Sequence, residues 1–278
     1  MILEKLISRR LLELLEEDVL PEDITSKAVK GVKCRAYVVA KEEGLLAGNK
    51  FLVPFLEDMR LKVIEAKPDG NYFKKGDKLL IFEGDGEDVL MVERTLLNLL
   101  SRLSGIATAT SLMVKLARTV NSNVVVAGTR KTTPGLRLFE KYAIEVGGGD
   151  PHRYNLSDMV LIKDNHIALL GGIRNAVESV RKYVSFSKKI EVEVTSIKEA
   201  VEAYEAKADI ILLDNMTPDE VREIVSHLKG KILIEASGRI TPDNVVEYAK
   251  TGVDIISSGY ITHSVKAIDM SLDVEKLD

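Results

Sequence analysis

The sequence predicts two domains of different class: an α+β domain over residues 1–103 and an α/β barrel over residues 104–265. Two patterns lead to this division. The first part of the chain holds short strand-like runs separated by glycine-containing turns. The second part repeats an apolar strand followed by an amphipathic helix. The tail, residues 266–278, is expected to pack back on the first domain.

The first domain is predicted to begin with an amphipathic helix, because charged residues interrupt apolar residues that recur at helical spacing. The same charges argue against a signal peptide or a membrane span. Strand-like runs follow at 34–40, 61–66 and 78–83. Helical spacing over 88–117, with a break near Ser104 and Gly105, predicts a pair of helices that leads into the second half.

Seven apolar strands are predicted after that, at residues 124–127, 143–146, 159–162, 190–194, 210–213, 232–235 and 254–257. Strands this apolar are typical of parallel sheets, which are buried on both faces. Helices are predicted at 197–206, 218–228 and 242–251. The last two begin with Thr217-Pro218 and Thr241-Pro242, which are favourable pairs for a first turn.

The positions of polar residues distinguish a closed barrel from an open, doubly wound sheet. Nearly every predicted strand ends in a polar residue or a glycine at its carboxyl end. A barrel builds its site from all of its βα loops, whereas an open sheet uses one crevice. The pattern therefore favours a barrel, with seven strands in place of the usual eight.

Composition limits the classes of function. With 278 residues and 45% apolar content, the chain can bury a large core. A net charge of -4 argues against a nucleic-acid-binding surface. Cys34 is the single cysteine, which excludes an intramolecular disulfide and fits a reducing cytoplasm. The lack of Gln and Trp, with 29% charged residues, indicates a thermophilic source.

Basic residues are concentrated in one segment of this acidic chain, which indicates a site for an anionic substrate. Cationic side chains in the segment 128–166 include Arg130, Lys131, Arg137, His152, Arg153, Lys163 and His166. Arg130 and Lys131 precede Thr132-Thr133-Pro134, which is expected to open a helix whose amides attract a carboxylate or a phosphate. The alternative is a solvated pair of cations in a loop.

His152 and Arg153 follow a turn of three glycines, where a ligand can approach the backbone. Neighbouring cations favour the neutral imidazole of His152 as a hydrogen-bond donor. The alternative is an incidental basic pair in a turn. Lys163 ends an apolar strand, so it either points into a site or pairs with an acid such as Asp164. His166 could equally lie in the first turn of the next helix.

Carboxylates and small residues end the later strands. Glu193 and Asp214 would be neighbours on the barrel rim and could hold Mg²⁺ through water. Alternatively, they balance nearby lysines. Ser237-Gly238 and Ser258-Gly259 end the last two strands. Barrels often bind a phosphate there through loop amides.

Taken together, these motifs resemble those of the quinolinate phosphoribosyltransferase family. The matching segments are ERTLLN at 93–98, SGIATAT at 104–110, TRKTTPGLR at 129–137, GGGDPHR at 147–153, LIKDNH at 161–166, EVEV at 191–194, LLDN at 212–215 and ASGRI at 236–240. The resemblance covers most of the chain. It departs from the family pattern at Gly128, Pro151 and Arg239, which leaves the local loop geometry open.

The resemblance implies an open sandwich-like amino-terminal domain and a seven-stranded α/β barrel. It implies a homodimer in which one subunit's amino-terminal domain covers the other's barrel mouth; a hexamer of such dimers is an alternative. The implied enzyme is a decarboxylating pentosyltransferase of NAD biosynthesis. It converts quinolinate and phosphoribosyl pyrophosphate, with Mg²⁺, to nicotinate mononucleotide, pyrophosphate and CO₂. No nucleic acid or membrane partner is expected.

The resemblance also implies roles for individual residues. The implied substrate-binding residues are Arg94, Arg130, Lys131, His152, Arg153, Lys163, Glu193, Asp214, Ser237, Gly238, Ser258 and Gly259. The implied catalytic residues are Lys131, Lys163, Glu193 and Asp214. Arg94 would come from the partner subunit. Glu193 and Asp214 would organise Mg²⁺ indirectly, through water or substrate.

Three other interpretations fit part of the pattern. A paralogue associated with molybdenum transport operons shares the fold, but Arg94, Arg130, Arg153 and Lys163 argue against a different substrate. A non-catalytic binder of an anionic metabolite would gain nothing from the two rim carboxylates. Another phosphate-binding barrel enzyme, such as an aldolase or an isomerase, could use Lys163 to form a Schiff base.

Overall fold

The computed structural model describes residues 2–278, with side chains described from Lys5 onwards. The chain divides into two compact units. One unit consists of Met1–Thr108 together with Val265–Asp278, and the other of Ala109–Ser264. Among the described residues, no helix is both long and apolar enough to cross a membrane.

The elements up to the long third helix are α1 (Ile2–Val19), a 3₁₀ helix (Ser26–Val29), β1 (Lys33–Ala40), β2 (Gly44–Leu45), α2 (Asn49–Asp58), β3 (Lys62–Ala66), β4 (Tyr72–Phe73), β5 (Lys78–Asp85) and α3 (Gly86–Arg118). The elements that follow are β6 (Val125–Ala127), α4 (Arg137–Val146), β7 (Val160–Ile162), α5 (Asp164–Leu170), α6 (Ile173–Arg181), β8 (Ile190–Val194), α7 (Ile197–Glu205), β9 (Ile210–Asp214), α8 (Pro218–Leu228), β10 (Leu233–Ser237), α9 (Val245–Ala249), β11 (Ile255–Ser257), α10 (Tyr260–His263) and β12 (Met270–Lys276).

A four-stranded antiparallel sheet organises the first unit, in the order β12-β1-β5-β3. Cys34, Ala36, Val38 and Ala40 of β1 are buried and alternate with more exposed residues. This two-residue period is typical of a strand that packs one face on a core. The three longer strands predicted for this region and the amino-terminal helix are confirmed. The tail forms β12, which pairs with β1 along its whole length.

The pair of helices predicted over 88–117 is a single helix, α3, so the predicted break at Ser104 and Gly105 is wrong. Glycine is needed there because another segment passes close by. A Cβ atom on Gly105 would lie 2.3 Å from the carbonyl oxygen of Lys266. Ser104 is fully buried and accepts a 3.2 Å hydrogen bond from the Ala47 amide. Both residues therefore serve packing inside a helix, where glycine alone would be unfavourable.

A six-stranded parallel sheet accompanied by helices organises the second unit, in the order β6-β11-β10-β9-β8-β7. The strands from β8 to β11 follow one another in sequence and in space, with α7, α8 and α9 between them. Ile211, Leu213, Ile234 and Ile256 on these strands are fully buried, as expected for a parallel sheet. Because the strands are parallel, their carboxyl ends meet at one edge of the sheet.

The strand predicted at 143–146 is wrong, because these residues form the end of α4. Phe139, Ala143 and Gly147 are buried at four-residue spacing, which is the period of a helix. The sheet accordingly has six strands in place of the predicted seven. Beside β6 lies a parallel bridge of one residue pair, Ala127 with Asp150.

One of the two predicted threonine-proline helix starts is confirmed. Thr217 begins α8 with a capping box, in which its hydroxyl accepts from the Glu220 amide at 3.4 Å. The helix predicted from Pro242 begins later, after Asn244. The Asn244 side chain accepts a 2.8 Å hydrogen bond from the Thr241 amide, which stabilises a turn over these residues.

Candidate active site

A pocket of about 290 Å³ lies at the carboxyl ends of the parallel strands, within the second unit. Asp214, Ser237 and Ser257 end the three adjacent strands β9, β10 and β11. The lining residues are Gly128, Thr129, Arg130, Lys131, His152, Arg153, Leu161, Lys163, Glu193, Leu212, Asp214, Glu235, Ser237 and Ser257. Cations and carboxylates thus face the same space, next to the apolar side chains of two leucines.

Most of the predicted site residues meet in this pocket. Those that line it are Arg130, Lys131, His152, Arg153, Lys163, Glu193, Asp214 and Ser237. Gly238, Ser258 and Gly259 are not among the lining residues, although they lie within two residues of Ser237 or Ser257 in the chain. The Ser258 hydroxyl is buried and donates to the carbonyl oxygen of Ile240 at 2.6 Å. Arg94 lies on α3 in the first unit, and its side chain is 61% exposed.

Lys163 and Glu193 form an ion pair, with the ammonium donating to Oε2 of the carboxylate. Lys163 directly follows β7, and Glu193 lies on the neighbouring strand β8. The residues before them, Ile162 and Val192, are in register. The predicted alternative, in which Lys163 pairs with Asp164, is not the arrangement found. An ammonium held by a carboxylate is also a poor Schiff-base nucleophile, which disfavours the aldolase interpretation.

Two guanidinium groups contribute most of the remaining positive charge. Nε of Arg130 is buried and has no hydrogen-bond partner among the described residues. Arg153 donates through Nη1 to the carbonyl oxygen of Met159 at 3.3 Å. Burial and the neighbouring charge of Arg130 lower the pKa of Arg153. A buried donor without a partner beside a second cation favours the binding of an anion in this pocket.

Lys131 is held through its backbone by α10, the short helix that follows β11. The hydroxyl of Thr262 donates to the Lys131 carbonyl oxygen at 2.8 Å. A Cβ atom on Gly259 would lie 3.1 Å from Cδ of Lys131. The absence of a side chain at Gly259 therefore lets the stem of Lys131 pass between the two loops. This contact places the lysine next to the loops predicted to bind phosphate.

The helix expected to open at Thr132-Thr133-Pro134 begins at Arg137 instead. The Thr133 amide is already used, because it donates to Oε2 of the buried Glu140 at 3.2 Å. This amide is therefore satisfied inside the protein, and the expected anion site at a helix start is wrong. The side chains of Arg130 and Lys131 supply the positive charge at this edge.

Two other residues of the basic segment make structural contacts. Arg137 donates to the hydroxyl of Thr132 at 3.0 Å and to the carbonyl oxygen of Tyr154 at 3.2 Å. His166 lies in the first turn of α5, where Nδ1 accepts from the Lys163 amide at 3.0 Å. Of the two positions that the sequence left open for His166, the one at the start of the next helix is found. Neither residue lines the pocket.

His152 is fixed by contacts at both ring nitrogens. Its Nδ1 accepts a 2.9 Å hydrogen bond from the Arg153 amide, so the ring proton belongs on Nε2. Nε2 lies 3.1 Å from Oε2 of Glu235 and 3.7 Å from Oε2 of Glu191. The neutral imidazole predicted from the sequence agrees with this pattern. The donor, however, is directed to a buried carboxylate of the protein itself.

Glu191 and Glu235 form a buried acidic pair that the sequence reasoning missed. Both are almost completely inaccessible, and Glu191 has no hydrogen-bond partner at either oxygen among the described donors. Burial, with the negative charge of Glu235, raises the pKa of Glu191 to about 9. This shift favours the protonated form of Glu191. The segment EVEV contained a signal for Glu191, because Glu191 and Glu193 are two residues apart in a strand and must share one face of β8.

Two sets of side chains could hold a metal ion. His152, Glu191 and Glu235 bring ligand atoms within 4.8 Å of one another. Protonation of Glu191 opposes metal binding there, because a ligating carboxyl must lose its proton. Glu193 and Asp214 line the pocket from adjacent strands, and Oε2 of Glu193 is already paired with Lys163. These two fit a Mg²⁺ held through water and substrate oxygens.

Parallel strands, a site at their carboxyl ends, and cations beside rim carboxylates define an α/β enzyme that acts on an anionic substrate. Comparison with known families gives the particular family. The model of the quinolinate phosphoribosyl transferase C-terminal domain matches residues 106–273, and that of the N-terminal domain matches residues 23–104. The chain belongs to the quinolinate phosphoribosyl transferase family.

Individual relatives are similar over nearly their whole length. The chain is 47% identical to the probable nicotinate-nucleotide pyrophosphorylase (carboxylating) of Methanothermobacter thermautotrophicus, with 95% of this chain and 98% of the relative covered. It is 39% identical to the nicotinate-nucleotide pyrophosphorylase (carboxylating) of Rattus norvegicus, with 93% and 87% covered. The solved nicotinate-nucleotide pyrophosphorylase of Francisella tularensis superposes with a TM-score of 0.91 at 38% identity, covering 98% and 97%.

Proposed function

We propose that this chain catalyses the transfer of a phosphoribosyl group to quinolinate with loss of CO₂. The substrates are quinolinate and phosphoribosyl pyrophosphate, and the products are nicotinate mononucleotide, pyrophosphate and CO₂. The observation that carries the proposal is the pocket in which Arg130, Arg153 and Lys163 face Glu193 and Asp214. The cations match a dicarboxylate, and the carboxylates suit the metal and the ribose of the second substrate.

Quinolinate carries two adjacent carboxylates, which require paired or bidentate donors. Arg130 and Arg153 supply two guanidinium groups. Lys163, which follows β7, supplies an ammonium. The leucines in the lining offer apolar surface to the pyridine ring. His152, directed to Glu235, forms part of the wall and contributes shape more than charge.

Transfer of the ribosyl group passes through an oxocarbenium-like state while negative charge grows on the leaving pyrophosphate. Catalysis therefore depends on positioning and electrostatic stabilisation. Lys131 binds phosphate oxygens. Glu193 and Asp214 orient the ribose, and Ser237-Gly238 and Ser258-Gly259 hold the 5′-phosphate. The ring nitrogen forms the new bond to C1′ as the C1′–O bond to pyrophosphate breaks.

Decarboxylation follows from the charge on the product ring. Once quaternised, the ring nitrogen stabilises the electron pair that remains on C2 when the 2-carboxylate leaves as CO₂. A proton then adds to C2. The pocket contributes by holding the 3-carboxylate and keeping the ring in place, because a fixed substrate needs less reorganisation at the reacting carbon.

Mg²⁺ is the cofactor of this proposal. Glu193 and Asp214 would hold it indirectly, because one oxygen of Glu193 is taken by Lys163. When bound, the ion would neutralise charge on the pyrophosphate leaving group.

We also propose that the parallel sheet closes into a seven-stranded barrel, with the segment 150–153 in the seventh position. The Asp150 amide donates to the Val126 carbonyl oxygen at 2.8 Å, on the side of β6. On the other side, the Arg153 side chain donates to the carbonyl oxygen of Met159, the residue before β7. A backbone bond to β6 and a side-chain bond next to β7 support closure through this segment.

The third part of the proposal is a homodimer with shared sites. Arg94 is exposed on the first unit, and its described ion pair is a distant one, 3.8 Å, with the adjacent Glu93. A guanidinium with this freedom is suited to reach the pocket of a second copy. In this arrangement Arg94 of the partner subunit completes the quinolinate site.

The first test is a product assay. The purified protein is incubated with Mg²⁺, phosphoribosyl pyrophosphate and either quinolinate or nicotinate, and CO₂ and nicotinate mononucleotide are measured. Product from quinolinate and none from nicotinate supports the proposal. A folded protein that makes no product from quinolinate contradicts it and favours the transport-associated paralogue.

A further inference from the structure

Lys141 on α4 is a fully buried lysine that the sequence reasoning did not single out. Its ammonium donates to the carbonyl oxygen of Pro151. It also lies 5.9 Å from the centre of the Tyr154 ring, within the range of a cation–π contact. The carboxylates that favour its charge are those of Asp150 and Asp158. Lysines are almost never fully buried unless they are paired, so this position is unusual.

The surroundings of Lys141 oppose its charge. Burial and the cations Arg137 and Arg153 lower its pKa to about 8, against a smaller opposing effect of Asp150 and Asp158. An apolar side chain would fill this volume without such a desolvation cost. This cost points to a role for Lys141 other than stability.

Pro151 connects the two halves of the segment 150–153. On one side Asp150 bridges to β6, through bonds of 2.8 and 2.9 Å to Val126 and Gly128. On the other side His152 and Arg153 line the pocket. Proline has no amide hydrogen, so its carbonyl is the only backbone group through which it can be fixed. Lys141 is the group that fixes it.

The conformation beyond Pro151 needs such support. His152 has a φ of 55°, in the left-handed region that side chains other than glycine and asparagine rarely adopt. From this residue the ring must turn back to Glu235 while the Arg153 amide donates to Nδ1. A small rotation at Pro151 would therefore displace both residues that face the substrate.

We propose that Lys141 is a positioning residue for quinolinate recognition. Its hydrogen bond to the Pro151 carbonyl oxygen fixes the positions of His152 and Arg153. The inference rests on the proposed function, because it names quinolinate as the ligand that is affected. Lys141 itself does not line the pocket. Its removal should therefore affect the binding of one substrate and spare the phosphate-binding loops.

The test compares Lys141→Met with Lys229→Met. Lys229 is a control because its ammonium also donates to a backbone carbonyl, that of Gly252 at 2.8 Å, and it is not a lining residue of the pocket. Unlike Lys141, it is half exposed and also pairs with Asp254. We expect Lys141→Met to raise the KM for quinolinate about tenfold or more, as for loss of a donor to a buried acceptor. The KM for phosphoribosyl pyrophosphate and kcat should change less than about threefold, and the control less than about twofold.

Lys141→Arg should recover part of the quinolinate affinity, because it restores a charged donor. If Lys141→Met does not fold, Lys141→Gln and Lys141→Arg carry the same comparison. An unchanged KM for quinolinate, or an equal rise of both KM values, overturns the inference.

A second measurement does not depend on activity. Hydrogen exchange of peptides covering 147–158 should be about tenfold faster in Lys141→Met than in wild type. Peptides from β9 and β10 should exchange as before. Unchanged exchange at 147–158 overturns the positioning role even if the product assay fails, whereas faster exchange without any wild-type product would count against the proposed function alone.

Discussion

Lys163 and Glu193 are joined in an ion pair across the carboxyl ends of β7 and β8, so two residues expected to act on different substrates are in direct contact. Quinolinate would have to compete with Glu193 for the ammonium. Binding of a metal-bound pyrophosphate near Glu193 would in turn release Lys163. The pair thus offers a physical route for coupling between the two substrate sites.

Lys163→Ala should affect activity far more than stability. The Lys163 side chain is 45% exposed, and ion pairs with this exposure contribute about 1 kcal/mol or less. We expect kcat/KM for quinolinate to fall about 100-fold or more, which corresponds to roughly 3 kcal/mol of lost transition-state binding. Calorimetry should show a midpoint within a few degrees of wild type. A collapse of the midpoint would indicate that the pair is structural.

Subunit mixing should reveal a shared site. Arg94→Ala and Lys163→Ala are each expected to be inactive. Heterodimers of the two would contain one site free of both changes, so mixing should restore up to about a quarter of the wild-type activity. Exchange of subunits is verified with a tag on one variant. If exchange occurs and activity stays at the background of the single variants, the two residues belong to one subunit's site.

The stability of the protein should increase with pH through the titration of Lys141. Because its pKa falls from 10.5 to about 8 on folding, the unfolded chain binds more protons between these values. The charged, buried form is therefore unfavourable below pH 8, and the effect disappears as pH rises toward 10.5. At pH 7 it amounts to on the order of 3 kcal/mol at most.

Lys141→Met should remove this dependence. We expect its unfolding midpoint at pH 7 to be equal to or above that of wild type, in spite of the loss of the bond to Pro151. The difference should shrink between pH 8 and 10. Urea unfolding at several pH values measures it. A variant that is less stable than wild type by a constant amount at all pH values would contradict the lowered pKa.

Removal of Mg²⁺ should stop turnover and spare quinolinate binding. Chelation with EDTA is expected to abolish product, whereas calorimetric binding of quinolinate should change less than about threefold, because its site is made of side-chain cations. Asp214→Asn should raise the Mg²⁺ concentration needed for half-maximal activity about tenfold, since a charged ligand partner is lost. Full activity in EDTA would refute the role of the metal.

Patterns that extend over many consecutive residues predicted most of the fold correctly. The strands from β8 to β11 and the helix that begins at Thr217 follow from periodicity and capping chemistry alone. The segment 143–146 was misread because a short apolar run fits either a strand or the buried side of a helix. Only its continuation from Phe139 distinguishes the two, because burial at 139, 140, 143, 144 and 147 follows the period of a helix.

Site residues that end strands could be predicted from the sequence. Residues whose positions depend on tertiary contacts were harder to predict. Cations and rim carboxylates could be placed by the geometry of a parallel sheet. The contact of His152 with Glu235 could not, because these residues are far apart in the chain and meet through a left-handed turn. Lys141 was overlooked since a lysine inside an amphipathic helix is normally solvated.

Gly105 has a consequence for mutational tolerance. Alanine is ordinarily the more favourable helix residue by about 1 kcal/mol, yet a single methyl group at this position would meet the backbone of Lys266 at 2.3 Å. Backbone cannot rotate away as a flexible side chain can. In a library that samples every amino acid at every position of α3, residue 105 should therefore return glycine alone.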